Sequence, residues 1–302
     1  MGDYVFGVNN CWALKRFAEP EEWVEIAATR MEVGVVQFSF DLLDPVVDSG
    51  VLAEYVDRTK DACTKYGVNI QSCSTGGIAY MSNLLMHPFP QMRQYAYGWY
   101  AKAISLSQKL GAKTIGGHFG ALTVRDFGDP FRRDRLISEL LEQIHSLSRI
   151  GLQSGLQTLL WEPMPVPREP PSTISEAQAL LDRLEDSLVP VKLCLDVGHA
   201  CNPNATDPRD NDPYEWLRML GAVSPCVHLQ QTDGKADRHW SFTQDHNKVG
   251  LIEGEKVISS LDMSGAGDGY LFLEMCPAFE QKDDEVVAEL LESAKYWKQF
   301  LD

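Results

Sequence analysis

The sequence predicts a single α/β domain, residues 1–302, folded as one (β/α)8 TIM barrel. Short apolar runs alternate with longer amphipathic runs along the whole chain, and there are eight of each. This alternation favours a closed barrel over an open doubly wound sheet, which needs fewer strand–helix units. The length suits one barrel, because such domains commonly have about 250 residues. The last four apolar runs all end in a metal-binding side chain, as expected where parallel strands end at one barrel mouth.

The predicted strands are the short apolar runs, which are typical of strands buried on both faces of a parallel sheet. In chain order they are Tyr4–Val8, Val33–Phe40, Asn69–Cys73, Thr114–His118, Thr158–Glu162, Lys192–Asp196, Cys226–Gln230 and Tyr270–Met275. The predicted helices are the amphipathic runs that follow each strand. They are Glu21–Met31, Val51–Tyr66, Gln91–Leu110, Phe131–Ser154, Ile174–Leu188, Pro213–Leu220, Glu253–Leu261 and Glu285–Leu301.

Several predicted helices carry their own start or stop signals. Gly67 and Gly111 directly follow the second and third helices, and each has a lysine two residues before it. Glycine accepts the left-handed backbone that ends many helices, and lysine interacts favourably with the last carbonyl groups. Thr173 and Glu176 form a capping box at the start of the fifth helix. These signals support the assigned helix boundaries.

The composition excludes several classes of protein. A formal net charge of −16 argues against a nucleic-acid partner, because phosphates would be repelled at long range. The sequence has neither a basic segment followed by an apolar one, as in a signal peptide, nor an apolar run of about 18 residues. We therefore expect a cytoplasmic protein without a membrane partner. The seven cysteines form no CxxC pair, which fits free thiols in a reducing compartment. No dinucleotide-binding fingerprint, P-loop or Gly-x-Ser-x-Gly elbow is present. A homo-oligomer is compatible with the sequence.

The fifth to eighth predicted strands carry candidate metal ligands at or near their C-terminal ends: Glu162, Asp196, His228 and Glu274. They are separated by 34, 32 and 46 residues, which is too far for one local metal loop. Each interval approximates one strand-plus-helix unit, so successive strands would deliver the four side chains to a common point. Three carboxylates and one imidazole form a mixed, hard-ligand site. The sequence therefore predicts one divalent metal ion, either Mn²⁺, Mg²⁺ or Co²⁺, with Zn²⁺ as a further option.

Two other histidines are predicted at the same mouth. His199 follows Asp196 by three residues, in the turn after the sixth strand. His118 ends the fourth strand between glycines that permit a close approach of the backbone. We expect both to contact substrate. The alternatives are a histidine that only ties its loop and a histidine that packs in the core.

The loop after the seventh strand, Gly234–Gly250, is basic and contains an Asp-x-His pair. Basic side chains in a mouth loop suit a substrate phosphate, and they are equally typical of a solvated face. The candidate substrate-binding residues in this loop are Lys235, Arg238 and His239.

Four runs at these strand ends resemble the sugar isomerase/epimerase family of xylose isomerase-like barrels, which includes ketose 3-epimerases and hydroxypyruvate isomerases. They are WEP at Trp161–Pro163, LDVGHA at Leu195–Ala200, VHLQQTD at Val227–Asp233 and LEMCP at Leu273–Pro277. The resemblance implies that the four ligand positions bind one divalent metal. It also implies that Glu162 and Glu274 exchange protons with the substrate and that His199 contacts a substrate oxygen. The arginine that ketose epimerases carry shortly after the metal-binding histidine is not at its usual spacing, and Arg238 is the candidate substitute.

The resemblance implies a metal-dependent isomerase or epimerase that acts on a small ketose or ketose phosphate. The reaction would be an α-proton transfer through a metal-stabilised enediolate, with 3-epimerisation as the first expectation and aldose–ketose isomerisation as the alternative. The segment Gly117–Phe127 and the basic loop are similar to the tetrulose-phosphate (erythrulose phosphate) epimerases.

A phosphodiester hydrolase resembling the barrel apurinic endonucleases, with three zinc ions, is the main rival. Its ligands would map onto His118, Glu162, Asp196, His199, His228, Asp237, His239 and Glu274. The histidine expected at the end of the third strand is absent, because Gln71–Ser74 reads QSCS. A dehydratase on the same scaffold also stays open, as does a non-catalytic sugar-binding regulator, although the regulator would not need two proton-active glutamates.

Overall fold

Eight parallel strands close into one barrel in a computed structural model of the chain, which describes residues 2–301. They are β1 (Tyr4–Asn9), β2 (Val35–Ser39), β3 (Asn69–Ser74), β4 (Thr114–Gly117), β5 (Thr158–Trp161), β6 (Val191–Asp196), β7 (Cys226–Leu229) and β8 (Gly269–Leu273). Each strand pairs with its sequence neighbours, and β8 closes the barrel on β1 with Leu273 opposite Val8. The predicted (β/α)8 barrel is confirmed.

Helices separate the strands and form the outer layer of the barrel. They are α1 (Pro20–Glu25), α2 (Ser49–Tyr66), α3 (Gly76–Tyr80), α4 (Pro90–Leu110), α5 (Val124–Gly128), α6 (Pro130–Gln153), α7 (Ile174–Asp182), α8 (Pro213–Leu220), α9 (Gln244–Val249), α10 (Gly254–Met263) and α11 (Asp283–Lys298). The short helices α3, α5 and α9 follow β3, β4 and β7, so they belong to loops at the C-terminal mouth. Within residues 2–301, no helix combines the length and the apolar character that crossing a bilayer requires.

Three predicted helices differ from the structure, and one of them, Glu285–Leu301, occurs as α11 and ends three residues early, at Lys298. The predicted helix Glu21–Met31 changes after α1 into a π-helical segment, Ile26–Arg30, which ends with an N–H bonded to the carbonyl five residues before it. The predicted helix Ile174–Leu188 ends at Asp182. Beyond it the backbone N–H groups bond to carbonyls three residues before them, which makes a series of turns rather than an α-helix.

Five predicted strands end one or two residues early, before Phe40, His118, Glu162, Gln230 and Glu274. The backbone nevertheless stays beside its neighbour at the two glutamates. The N–H of Glu162 donates to the carbonyl of Gly117 at 3.1 Å, and the N–H of Glu274 donates to that of Leu229 at 2.9 Å. Both glutamates are therefore held by the rigid barrel rather than by a free loop.

The barrel interior explains why the candidate ligands meet. One buried cluster on β5–β8 consists of Leu160, Cys194, Cys226 and Phe272. Side chains alternate between the two faces of a strand, so the residue two positions further lies on the same face and nearer the mouth. Those residues are Glu162, Asp196, His228 and Glu274. The fold thus sets the four candidate ligands above an apolar floor.

Candidate active site

His228, on β7, lies among the other three candidate ligands. Its Nδ1 is 3.0 Å from Glu162 Oε1 and 3.0 Å from Glu274 Oε2. One donor atom from each of these residues and from Asp196 lies within 4.8 Å of the others, and all four side chains are buried. Three buried carboxylates this close repel one another unless a cation lies between them. The donor set therefore fits the predicted divalent metal ion.

Asp196 has one saturated oxygen and one free oxygen. Its Oδ1 accepts hydrogen bonds from the backbone N–H groups of Gly198 at 2.6 Å and His199 at 3.0 Å, and from the Gln230 amide at 3.0 Å. Its Oδ2 is buried without a hydrogen-bond partner, which is the state expected of an oxygen reserved for a metal. Gly198 permits this turn, because a Cβ there would lie 2.3 Å from Gln230 Cδ.

Polar residues on the first three strands orient these ligands. Gln37 Oε1, on β2, lies 2.6 Å from His228 Nε2, and an amide oxygen only accepts, so Nε2 carries the ring proton and Nδ1 is free to bind a metal. Asn9 Nδ2 donates to Gln37 Oε1 and to Glu274 Oε1, both at 2.8 Å. Gln37 Nε2 donates in turn to Ser72 Oγ at 3.1 Å. Sequence reasoning missed these residues, although a buried amide in an apolar strand was the available signal.

The other polar side chains of the site surround Asp237, in the loop after β7. His199 Nε2 lies 3.3 Å from Asp237 Oδ2 without hydrogen-bond alignment, and His239 Nε2 lies 3.1 Å from Asp237 Oδ1. Burial lowers the pKa of His199, but the carboxylates of Asp196 and Asp237 outweigh that effect and raise it to about 10. Asp196, His199 and His239 also form a second group of donors compatible with a metal.

His118 presents a neutral ring to the same space. It is buried, and neither of its ring nitrogens has a hydrogen-bond partner. Burial, and after it the nearby His199, lower the pKa of His118 to about 3. The preceding Gly117 has a φ of +119°, and a Cβ there would lie 2.2 Å from Thr75 Oγ1, so only glycine fits at this strand end. A neutral imidazole offers one donor and one acceptor to a bound hydroxyl group.

Several of these groups line a cavity of about 560 Å³ at the C-terminal mouth. Its polar wall contains His118, Glu162, His199, Asp237, His239 and Glu274. Its apolar lining contains Trp12, Leu14, Ile78, Tyr80, Met81, Met164 and Phe279. A small polar molecule with apolar C–H faces suits this combination.

The basic residues predicted in the loop after β7 lie elsewhere. Neither Lys235 nor Arg238 lines the cavity. The Arg238 guanidinium pairs with the carboxylate of Asp233 at 3.0 and 3.1 Å and covers the ring of Trp240. The Arg238 guanidinium is thus already paired outside the cavity. The structure does not bring Arg238 to the site as the substitute for the family's arginine.

The cations that do line the cavity follow β1, and sequence reasoning missed them. Arg16 is engaged, since its Nε lies 3.1 Å from Asp283 Oδ1 and its Nη2 donates to backbone carbonyls of the β8 loop. Lys15 is exposed and covers the ring of Phe279 at 4.1 Å. Its φ of 64° is unusual for a residue other than glycine. Within residues 2–301, the Lys15 ammonium has no carboxylate within ion-pair distance.

The family described as xylose isomerase-like TIM barrel matches residues 26–298. The chain belongs to this family. The resemblance seen in the strand-end motifs is thus confirmed over almost the whole barrel.

Two relatives are similar along nearly their full length. D-erythrulose 1-phosphate 3-epimerase of Brucella abortus (strain 2308) is 29% identical over 292 residues, which cover 96% of this chain and 94% of the relative. The crystal structure of a putative xylose isomerase from Rhodospirillum rubrum is 28% identical, with a TM-score of 0.91 over 98% of this chain and 99% of the other. The D-psicose 3-epimerase of Clostridium cellulolyticum H10 has a TM-score of 0.71 at 14% identity over 99% of each chain, which shows the shared fold alone.

Proposed function

We propose that this protein is a divalent-metal-dependent 3-epimerase of a small ketose phosphate, with erythrulose 1-phosphate as the first candidate substrate. The observation that carries the proposal is the position of two buried glutamates, Glu162 and Glu274, each 3.0 Å from the same His228 nitrogen. The similarity to an erythrulose 1-phosphate 3-epimerase over 96% of the chain supports the choice of substrate.

The two carboxylates suit proton transfer next to a carbonyl. A bound divalent cation would supply Lewis-acid polarisation of the ketose carbonyl, which acidifies the neighbouring C–H group. One glutamate takes that proton, and the other returns a proton to the opposite face of the same carbon. Their donor oxygens lie within 4.8 Å of each other, which suits two groups that act on one carbon atom. Removal of a proton from C1 and its return to C2 would instead give an aldose, which requires a free hydroxyl group on C1.

We assign the substrate hydroxyl groups to the histidines of the cavity wall. Both ring nitrogens of His118 and Nε2 of His199 are buried without a hydrogen bond, and His239 Nδ1 lies 3.6 Å from Glu274 Oε2. The phosphate is assigned to Lys15, the cavity-lining cation without an ion-pair partner among residues 2–301. Neither Lys235 nor Arg238 lines the cavity. We therefore assign them only a long-range electrostatic attraction for an anionic substrate.

The test is proton exchange followed by NMR. Metal-loaded protein is incubated in D₂O with erythrulose 1-phosphate and, separately, with free erythrulose. We expect deuterium at C3 together with the C3 epimer, faster for the phosphorylated ketose. Deuterium at C1 of free erythrulose together with an aldose product would replace epimerisation by isomerisation, and deuterium at C3 without any epimer would refute epimerisation. No exchange with ketoses of three to six carbons, with or without phosphate, would refute the proposal.

A multi-zinc phosphodiester hydrolase is the second candidate, because Asp196, His199 and His239 form a further donor group. The wall contributed by β3 and its following loop argues against it, since Ser74 and Thr75 line the cavity there instead of a histidine. Hydrolysis of bis(p-nitrophenyl) phosphate by zinc-loaded protein, in the absence of ketose exchange, would favour this candidate.

A further inference from the structure

Two cysteines lie together at the mouth of the cavity. Cys11 is in the turn after β1, Cys276 follows β8, and their Sγ atoms are 3.8 Å apart. Both residues line the cavity, Cys11 half-buried and Cys276 exposed. A small oxidant that enters the cavity therefore meets both residues without any opening of the core.

Each of these cysteines is connected to the proposed machinery through its backbone. The N–H of Cys11 donates to Asn9 Oδ1 at 3.0 Å, and Asn9 Nδ2 donates to Glu274 Oε1 at 2.8 Å. Cys276 is two residues after Glu274, and its N–H donates to the carbonyl of His239 at 3.2 Å. A shift of the backbone at either cysteine would therefore act on the surroundings of Glu274.

We propose that Cys11 and Cys276 are an oxidation site, at which hydroperoxides convert two thiols into a disulfide that stops turnover. The exposed Cys276, as thiolate, attacks the peroxide oxygen and displaces the alcohol or water, which gives a sulfenic acid. The Cys11 thiol then attacks the sulfenic sulfur and releases water as the S–S bond forms. Two thiols are oxidised and one hydroperoxide is reduced, so no further reactant is needed. A thiol reductant restores the dithiol.

The bond requires real displacement. A disulfide is about 2.05 Å long, so sulfurs now 3.8 Å apart must approach by roughly 1.8 Å. The backbone connections transmit part of that shift to Glu274, and a displacement of about 1 Å at a reacting group costs about 10²-fold in rate. We therefore expect a loss of turnover of that order in the oxidised protein, and full recovery on reduction.

A second pair of neighbouring cysteines allows proximity to be compared with accessibility. Cys194 and Cys226 have their Sγ atoms 3.3 Å apart, but both residues are only 1% exposed and lie in the apolar layer inside the barrel. Proximity alone would favour this pair, whereas access favours Cys11 and Cys276. The oxidised product identifies which of the two factors decides.

The experiment treats metal-loaded, reduced protein with hydrogen peroxide, quenches with an alkylating agent and maps the linked peptides by mass spectrometry. We expect a Cys11–Cys276 linkage whose yield follows the loss of turnover, with both reversed by dithiothreitol. Cys11→Ser and Cys276→Ser should abolish the linkage and the reversible loss, each measured against its own untreated sample. Cys63→Ser, which removes a half-buried thiol on α2, is the matched control and should behave as wild type.

Peptide mapping does not depend on the proposed ketose chemistry. The oxidation site and the epimerase activity can therefore be refuted independently of each other. A Cys194–Cys226 linkage, or no linkage at peroxide levels that oxidise Cys63, would overturn the site. A Cys11–Cys276 linkage in protein that keeps its proton exchange would overturn its effect on turnover.

Discussion

The two halves of the barrel contribute different chemistry to the same site. The charged or metal-binding side chains lie at the ends of β5–β8 or directly after them, whereas β1 and β2 present Asn9 and Gln37 to those ligands and Ser72, on β3, supports Gln37. An amide or hydroxyl group fixes the orientation of a neighbour without adding charge to an already acidic pocket. Strands β5–β8, the ligand half, therefore supply the charged and metal-binding groups. Strands β1–β3, the supporting half, fix the orientation of those groups.

The largest expected effect is a change of charge in the ligand half. Glu274→Gln keeps the shape of the side chain but removes the carboxylate that would exchange a proton. We expect a fall in C3 deuterium exchange of about 10³-fold, within the range that general acid–base catalysis supplies. Glu280→Gln, at an exposed position on the same side of the barrel, is the matched control and should change exchange little. A Glu274→Gln protein that is folded and retains its exchange rate would remove Glu274 from the mechanism.

Removal of the metal tests the ligand half as a unit. A chelator should abolish exchange and lower the melting temperature, because an ion bound at a concentration 100 times its Kd stabilises the fold by about 2.7 kcal/mol. Addition of Mn²⁺ or Co²⁺ should restore both properties. Elemental analysis should give one ion per chain. Two ions per chain would mean that Asp196, His199 and His239 are loaded as well, and exchange that survives chelation would refute metal dependence.

The supporting half is tested at Gln37. Gln37→Leu removes the acceptor of the His228 Nε2 proton, so the ring loses the contact that fixes its tautomer and orientation. Loss of such a partner lowers metal affinity by about 10–100-fold, and we expect that decrease in a Co²⁺ titration followed by absorbance. Gln37→Glu keeps an acceptor oxygen and should retain most of the affinity. Equal losses in both variants would point to general disruption of the barrel instead.

The division between the halves also decides what the sequence could reveal. Glu162, Asp196, His228 and Glu274 were visible because a charged or metal-binding group at the end of an apolar run is rare and recurs here once per strand–helix unit. Asn9 and Gln37 looked like ordinary polar residues, since nothing in their own strands indicates that their partners lie on β7 and β8.

The loops were predicted less well than the strands, for a physical reason. The alternation of a strand fixes the face on which each side chain lies. In a loop, the position of a side chain depends instead on the partners that happen to lie nearby. Arg238 pairs with Asp233, five residues earlier, instead of facing the cavity. Lys15 lines the cavity from a backbone position with a positive φ, which no apolar pattern predicts.

The smallest expected effect concerns that lysine, which belongs to the supporting half but is charged. If Lys15 holds the substrate phosphate, Lys15→Met should lower kcat/KM for erythrulose 1-phosphate by about tenfold, since a hydrogen bond to a charged group contributes about 1.5 kcal/mol. The loss should appear mainly in KM, and turnover of free erythrulose should stay unchanged. Lys235→Met, in a loop outside the cavity, is the matched control and should leave both substrates unaffected at physiological salt. An equal loss with both ketoses in Lys15→Met would mean that the residue shapes the loop after β1 rather than binding phosphate, and a selective loss in Lys235→Met would return the phosphate to the basic loop.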